Sequence, residues 1–242
     1  THQLTFFMVN NNELKNIKTL FNRCNLNINK IILKSFIDGI KIVNKNKKDT
    51  FIQIKINKDE TNLILFNDSA FCYFQKFNFG SDIILKDISK VCSLDMTNVK
   101  NIISNSNFEL SDNNMYLDKK YFNQNNFRKI SIKHILEIST ARIEEMINII
   151  FNKNKNLSDL KQKEIPIYLD FEDEKLISQF EDIFKSNFSE YDLNLNKSIN
   201  TDFLISIKIF GELLCKGWAK EAIPFITKKK SWISRIFSGF FE

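Results

Sequence analysis

Residues 51–92 read FIQIKINKDETNLILFNDSAFCYFQKFNFGSDIILKDISKVC, and this stretch decides the fold. From Phe51 to Ile56 the side chains alternate, Ile52, Ile54 and Ile56 on one side and Gln53 and Lys55 on the other, which is the period of two of a strand. Lys58-Asp59-Glu60 turns the chain into a second strand, Asn62 to Phe66. Asn67-Asp68-Ser69 turns it again into a third, Ala70 to Phe77, so the three form a β-meander. A helix follows from Ser81 or Asp82 to about Cys92, with Ile84, Ile88 and Val91 expected to be buried.

Upstream of the meander, Asn12 to Cys24 carries Leu14, Ile17, Leu20, Phe21 and Cys24 on one helical face, with Asn11 or Asn12 as the cap. Lys30 to Phe36 is a short apolar run that reads as a strand. Asn44 to Asp49 is a polar, lysine-rich turn and a candidate domain boundary. Downstream, Asp95 to Ile103 is a second short helix, and Ser104 to Asn126 a polar, Asn-rich loop region. Ser131 to Phe151 keeps a helical period through Ile132, Ile135, Leu136, Ile143, Met146 and Ile150. Ile165 to Phe171 is a strand, Asp173 to Asn187 a helix, and Thr201 to Cys215 the last apolar helix of the body. Strands, then helices, then a strand–helix unit predict an α/β fold, a mixed sheet flanked by helices.

Composition narrows the chemistry. With 43% hydrophobic residues the 242-residue chain can bury a sizeable core, which argues against overall disorder. Its five glycines, Gly39, Gly80, Gly211, Gly217 and Gly239, include no adjacent pair. Loops that wrap phosphates in backbone N–H groups need glycine for positive φ and close approach, so a Gly-rich phosphate loop is not available. Cys24, Cys72, Cys92 and Cys215 lack metal-ligand spacing and read as small buried hydrophobes. His2 and His134 are far apart, and a zinc site needs more ligands than these. The expected compartment is reducing and cytoplasmic, without disulfides. No run of about 18 apolar residues predicts a membrane-spanning helix. Of the formal net charge of +6, residues 216–242 supply +4, six basic side chains against two acidic ones. The body is nearly neutral, which does not favour a nucleic-acid surface.

The basic segment has its own pattern. On a helix stepping about 100° per residue, Trp232, Ile233, Ile236, Phe237, Phe240 and Phe241 all fall within one half of the wheel. Ser231, Ser234, Arg235, Ser238, Gly239 and Glu242 fill the other half, and Lys228, Lys229 and Lys230 precede the helix. Bulky aromatics on one face with basic residues at the flank predict an interfacial helix on anionic lipid, each basic residue adding about 1 kcal/mol. The competing reading is a terminal helix that docks on the protein's own body.

These segments together resemble FtsA, the family of actin-like bacterial cell-division proteins, over nearly the whole chain and as its C-terminal half or more. Phe77-Asn78-Phe79-Gly80-Ser81-Asp82 to Asp87-Ile88 is similar to that family's strand end, Gly-Gly-Asp and Thr-x-Asp-Ile; Ser81 replaces a Gly and Leu85 the Thr. Leu94 to Ile103 looks like its Leu-Glu-Glu-Ala-Glu helix with the acids lost. Leu136-Glu137-Ile138 and Ala141-Arg142-Ile143-Glu144-Glu145 look like its Glu-Ile-Ile-x-Ala-Arg-x-x-Glu run, and Ile28 to Phe36 like the strand entering the second lobe. The tail resembles its membrane-targeting helix.

The resemblance implies an actin-like (ribonuclease H-like) lobe and a layout of four parts. Residues 1–48 would end the first lobe, and 49–217 form the second with 93–160 as an insertion. Residues 218–227 would be a linker and 228–242 a membrane-targeting helix. It implies ATP as cofactor, with Thr61 and Gly80 at the nucleotide site. The residues there depart from the pattern: Lys55-Ile56-Asn57-Lys58-Asp59-Glu60-Thr61 replaces Asp-x-Gly-Gly-Gly-Thr-Thr, and Asp170-Phe171-Glu172-Asp173 replaces the adenosine motif. The fold's other phosphate loop would lie upstream of Thr1. No residue is assigned a catalytic role. The resemblance further implies the acidic C-terminal tail of FtsZ as partner, met by Arg128 and Arg142, whose alternatives are a solvated loop charge and an intrahelical pair with Glu144 or Glu145. The location implied is the cytoplasmic face of the inner membrane at the division site. Two other readings remain from sequence: an actin-like ATP-binding filament or pilus-assembly protein, and a generic peripheral membrane protein. Self-association is left open.

Overall fold

The computed structural model describes residues 5–105, 115–122, 127–157, 165–172, 174–197 and 202–218. Everything assigned from sequence to residues 219–242, including Lys228, Lys229, Lys230, Trp232, Ile233, Arg235, Ile236, Phe237, Phe240 and Phe241, lies outside the described residues, as do Asp173 and parts of the Asn-rich loop.

The meander is present as read, with β1 (Phe51–Ile56), β2 (Thr61–Asn67) and β3 (Ala70–Phe77). β4 (Ile167–Phe171) and β5 (Leu193–Lys197) complete a five-stranded sheet of order β3-β2-β1-β4-β5. The meander is antiparallel, while β1–β4 and β4–β5 are parallel. Parallel neighbours require crossovers that carry helices to the faces of the sheet, and both faces are covered. That explains why Gln53, placed by alternation opposite the isoleucines, is as buried as they are.

On one face Ile52, Ile54, Ile56, Ile167, Leu169 and Phe171 form the main core with α3 (Asp82–Cys92), α4 (Met96–Asn105), α5 (Ile132–Ile147) and α6 (Glu174–Asn187). α5 continues through a π-helical turn, Asn148–Asn152, which places Ile150 and Phe151 in the same core. Ser131 caps α5 by accepting from the His134 N–H. In α3 the buried residues are Ile84, Leu85, Ile88 and Cys92, whereas Val91 is 54% exposed. The expectation for Val91 is corrected: the buried face runs through positions 84, 88 and 92, and Val91 falls off it. Burial pushes the Cys92 thiol up, consistent with an inert core cysteine; the expectation is corrected for Cys24 and Cys215, which are exposed, and Cys72 is half-buried.

The other face carries α2 (Lys34–Asn46) and α7 (Asp202–Lys216), which pack on each other. Here the sequence reading of Lys30 to Phe36 as a strand is overturned: the chain is extended only to Leu33, and α2 begins at Lys34. Phe36, Ile37, Ile40 and Val43 recur at helical spacing and bury against α7 and β2, so Lys34 to Phe36 join the helix while Ile31-Ile32-Leu33 stays extended before it. α2 also runs through Asn46 before Lys47 ends it at φ 52°, shortening the turn expected from Asn44. Gly39 brings α2 close: an added Cβ would lie 2.8 Å from Cδ2 of Phe66 and nearer still to two other ring carbons.

A polar cluster sits between α2 and the sheet. Lys41 Nζ and Lys55 Nζ each donate to Asp38, at 3.1 Å, and Asp38 is 5% exposed. Gln53 Nε2 donates to Asp170 beside it. Removing one partner of such a group leaves uncompensated charge, so Asp38→Ala is expected to lower unfolding free energy by about 2–4 kcal/mol in a urea titration, with m unchanged.

α1 (Asn11–Arg23) precedes this body, capped by Asn10, whose side chain accepts from Asn12 N–H. None of its residues is buried. Among the described residues no helix is long and apolar enough to cross a membrane.

Candidate functional site

The ends of β1 and β4 form the rim where the resemblance implies a nucleotide. After Ile56 the chain turns through Asn57 to Glu60, closed by Asn57 N–H donating to Glu60 O at 2.9 Å. A phosphate loop would leave such N–H groups free to converge on an anion. Here the Lys58 N–H donates to Glu172 Oε2 at 3.0 Å, and the Glu172 N–H donates to Ile56 O at 3.1 Å. The chain's own carboxylate thus occupies a backbone N–H at the turn where the resemblance implies a phosphate.

The rest of the turn is committed in the same way. Thr61 is fully buried, and its hydroxyl donates to Phe79 O at 2.8 Å. Gly80 lies directly beneath the turn, with Ser81 N–H donating to Asn57 O at 2.9 Å and Asp82 N–H to Lys58 O at 3.0 Å. A Cβ there would come within 2.6 Å of the Lys58 carbonyl oxygen and closer to that of Asn57. Gly80 therefore lets two backbones touch. The structure brings Thr61 and Gly80 together, as neighbours that lock the hairpin to the start of α3. Glu60 pairs with Lys76; that hydrogen bond and one from the Asn62 amide hold its carboxyl below the usual range. Asp59, Glu60 and Glu172 give the rim an acidic character that opposes a polyphosphate.

Arg128, in the segment before α5, and Arg142, on α5, anchor at separate points along α3 and its C-terminal end. Arg142 Nε donates to Asp87 of α3 and its Nη1 to Glu145 of α5, so the intrahelical pair forms and an interhelical one joins it. Arg128 Nη1 donates to Ser93 Oγ at 3.3 Å, just past the C-terminus of α3. Asp87 and Ser93 are roughly 9 Å apart along the helix. Around Arg128 lie cations on aromatic rings: Lys129 over Tyr116 at 4.2 Å and Lys119 over Phe127 at 5.5 Å. A cleft of about 770 Å³ opens alongside, lined by Asn98, Asn101, Tyr116, Asp118, Lys120 and Tyr121. Sequence reading passed over Lys119, Lys129 and the role of Glu172. The first two were marked by basic residues alternating with aromatics in YLDKKYF and FRKI; Glu172 was noted only as part of the segment replacing the adenosine motif, and its bond to Lys58 had no local signal, because it depends on a parallel pairing of β4 with β1.

A mixed sheet of this order, with helices on both faces and the hairpin rim at the ends of β1 and β4, defines the actin-like fold. Two solved structures are similar to the chain over most of its length. MreB5 of Spiroplasma citri bound to AMPPNP aligns with a TM-score of 0.53 and 13% identity, over 86% of this chain and 66% of that one. The same protein bound to ADP aligns at 0.54 and 12%, over 85% and 67%. The archaeal actin homolog Ta0583 is a looser likeness, at 0.43 and 14%, over 75% and 55%. The chain thus spans about two thirds of the length of the MreB5 structures. No protein-family model and no curated protein matches the sequence.

Proposed function

We propose that the chain is a non-catalytic, actin-like adaptor that holds FtsZ filaments on the cytoplasmic face of the inner membrane at the division site. The observation that carries the non-catalytic part is the Glu172 carboxylate on the Lys58 N–H. Binding a nucleotide here would require expelling that carboxylate, moving Thr61 off the Phe79 carbonyl, and placing phosphates among Asp59 and Glu60. The membrane part rests on the amphipathic pattern of residues 228–242. The partner part rests on the FtsA resemblance and on the basic, aromatic neighbourhood of Arg128, Lys129 and Lys119 beside an open cleft. Such a surface suits an acidic peptide.

Fluorescence anisotropy tests partner and nucleotide together. A labelled FtsZ C-terminal peptide is expected to bind the full chain, and Arg128→Glu with Arg142→Glu to weaken it at least tenfold while the circular dichroism spectrum stays folded. Equal capture by the folded double variant would refute the assignment of these two arginines. A fluorescent ATP analogue is expected not to bind at concentrations up to the millimolar range. A second reading, an actin-like nucleotide-binding filament or pilus-assembly protein, is favoured by the likeness to MreB5, whose structures hold AMPPNP and ADP. Micromolar binding of the analogue would replace the adaptor reading with this one.

A further inference from the structure

α7 buries Ile209 and Leu213 against α2 and half-buries Phe210. Its exposed side is divided. Stepping about 100° per residue, Phe203, Leu214, Ile207, Gly211 and Leu204 occupy one arc of roughly 100°, followed by Lys208, Glu212 and Lys216. Phe203 is 72% and Leu204 75% exposed, with Ile207 and Leu214 near one half. Nothing lies within 4 Å of where a Gly211 Cβ would be. An apolar stripe that includes a glycine is shaped for close approach of another helix.

The chain leaves the body beside this stripe. Gly217, at φ 69°, ends α7 by donating its N–H to Leu213 O at 3.0 Å. Trp218 is then pinned, its Nε1 donating to Ser69 O at 2.9 Å and its ring edge-on to Phe36 at 6.0 Å. Residues 219–227 extend to about 30 Å at most. α7 is about 22 Å long, and residues 228–242, with the same number of residues, would make a helix of equal length. That linker suffices to turn the tail back along α7, antiparallel.

We infer that the apolar face of residues 228–242, carrying Trp232, Ile236, Phe237 and Phe240, docks on the Phe203–Leu204–Ile207–Leu214 stripe of the same chain when no membrane is present, and exchanges that seat for anionic lipid. This rests on the membrane reading of the tail and adds its regulation: the aromatic face is covered in solution, and the stripe competes with the bilayer for it.

Limited trypsin digestion of the full chain without lipid tests the docked state alone. Mass spectrometry would follow fragments ending at Lys228, Lys229 or Lys230. Cleavage there is expected to be at least fivefold faster in Leu204→Glu and in Ile207→Glu, both at exposed positions, than in wild type, and unchanged in Leu20→Glu on the exposed face of α1. Rates are expected to be independent of dilution. Equal rates in both stripe variants, acceleration by Leu20→Glu, or protection that fades on dilution, as for a tail seated on a second copy, would each overturn the docking. Flotation with phosphatidylglycerol vesicles completes the test: the stripe variants are expected to bind severalfold more tightly than wild type, and unchanged binding would overturn the competition. Protease acceleration in a chain that never floats would instead leave the docking standing and remove the membrane reading.

Discussion

Gly80→Ala is expected to destabilise the protein by at least about 3 kcal/mol, lowering Tm by roughly 6–12 °C in a thermal melt. The added methyl would meet two backbone carbonyls, of Asn57 and Lys58, and a carbonyl cannot swing aside as a side-chain tip can. Moving them breaks the Ser81 and Asp82 N–H bonds to those same oxygens and the closure of the hairpin. The buried Thr61 hydroxyl would lose Phe79 O as its neighbour shifts, and an orphaned buried hydroxyl adds about 1–3 kcal/mol of its own. In a chain ending at Thr227, which has no tail to seat on α7, Gly211→Ala is the control: its site is open, and relief of glycine's entropy in a helix is expected to stabilise by about 0.5–1 kcal/mol. A Gly80→Ala protein as stable as wild type would mean that the hairpin does not rest on α3 in this way, and the closed rim would lose its foundation.

How much of this was legible in sequence depended on how local each signal was. The meander was readable because each turn is made by consecutive polar residues and each strand is a short apolar run between them, alternating in β1. α3, α5 and α6 were readable because a helical stripe is local too. The start of α2 was misread because the β-branched Ile31-Ile32 just before it invited a strand through Phe36; the face that identifies the helix is complete only when α7, more than 150 residues later, is packed against Ile37 and Ile40. β5 was missed altogether: Leu193-Asn194-Leu195-Asn196-Lys197 is short, and Asn has poor strand propensity. It pairs because β4 offers a parallel edge. At the rim, loss of glycine and gain of acids could be read as unsuited to phosphate. That Glu172 occupies the Lys58 N–H could not be read, because 114 residues separate the two. Arg142 shows the same limit: its pair with Glu145 was a spacing argument, whereas its bond to Asp87 requires α3 and α5 to lie side by side.

A chain ending at Thr227 is expected to lose vesicle binding by at least about 100-fold relative to the full chain, with the body still folded by circular dichroism. Six large apolar side chains, each partly buried in the acyl boundary, contribute about a third to a half of the roughly 1.5–3 kcal/mol of full burial. Three lysines and Arg235 add about 1 kcal/mol each on an anionic surface. A 100-fold loss corresponds to only about 3 kcal/mol, less than these apolar and electrostatic parts together, and the difference is taken up in ordering the helix at the surface. The two contributions separate experimentally. Phosphatidylcholine vesicles retain the apolar part and remove the electrostatic one, so binding by the full chain is expected to fall sharply there and with rising salt on anionic vesicles. Trp232→Ser with Phe240→Ser removes the apolar part and leaves the charge, so the salt dependence is expected to persist at much lower affinity. If the chain ending at Thr227 floats as well as the full chain, lipid is held by the body or not by this mechanism at all, and the tether would have no anchor.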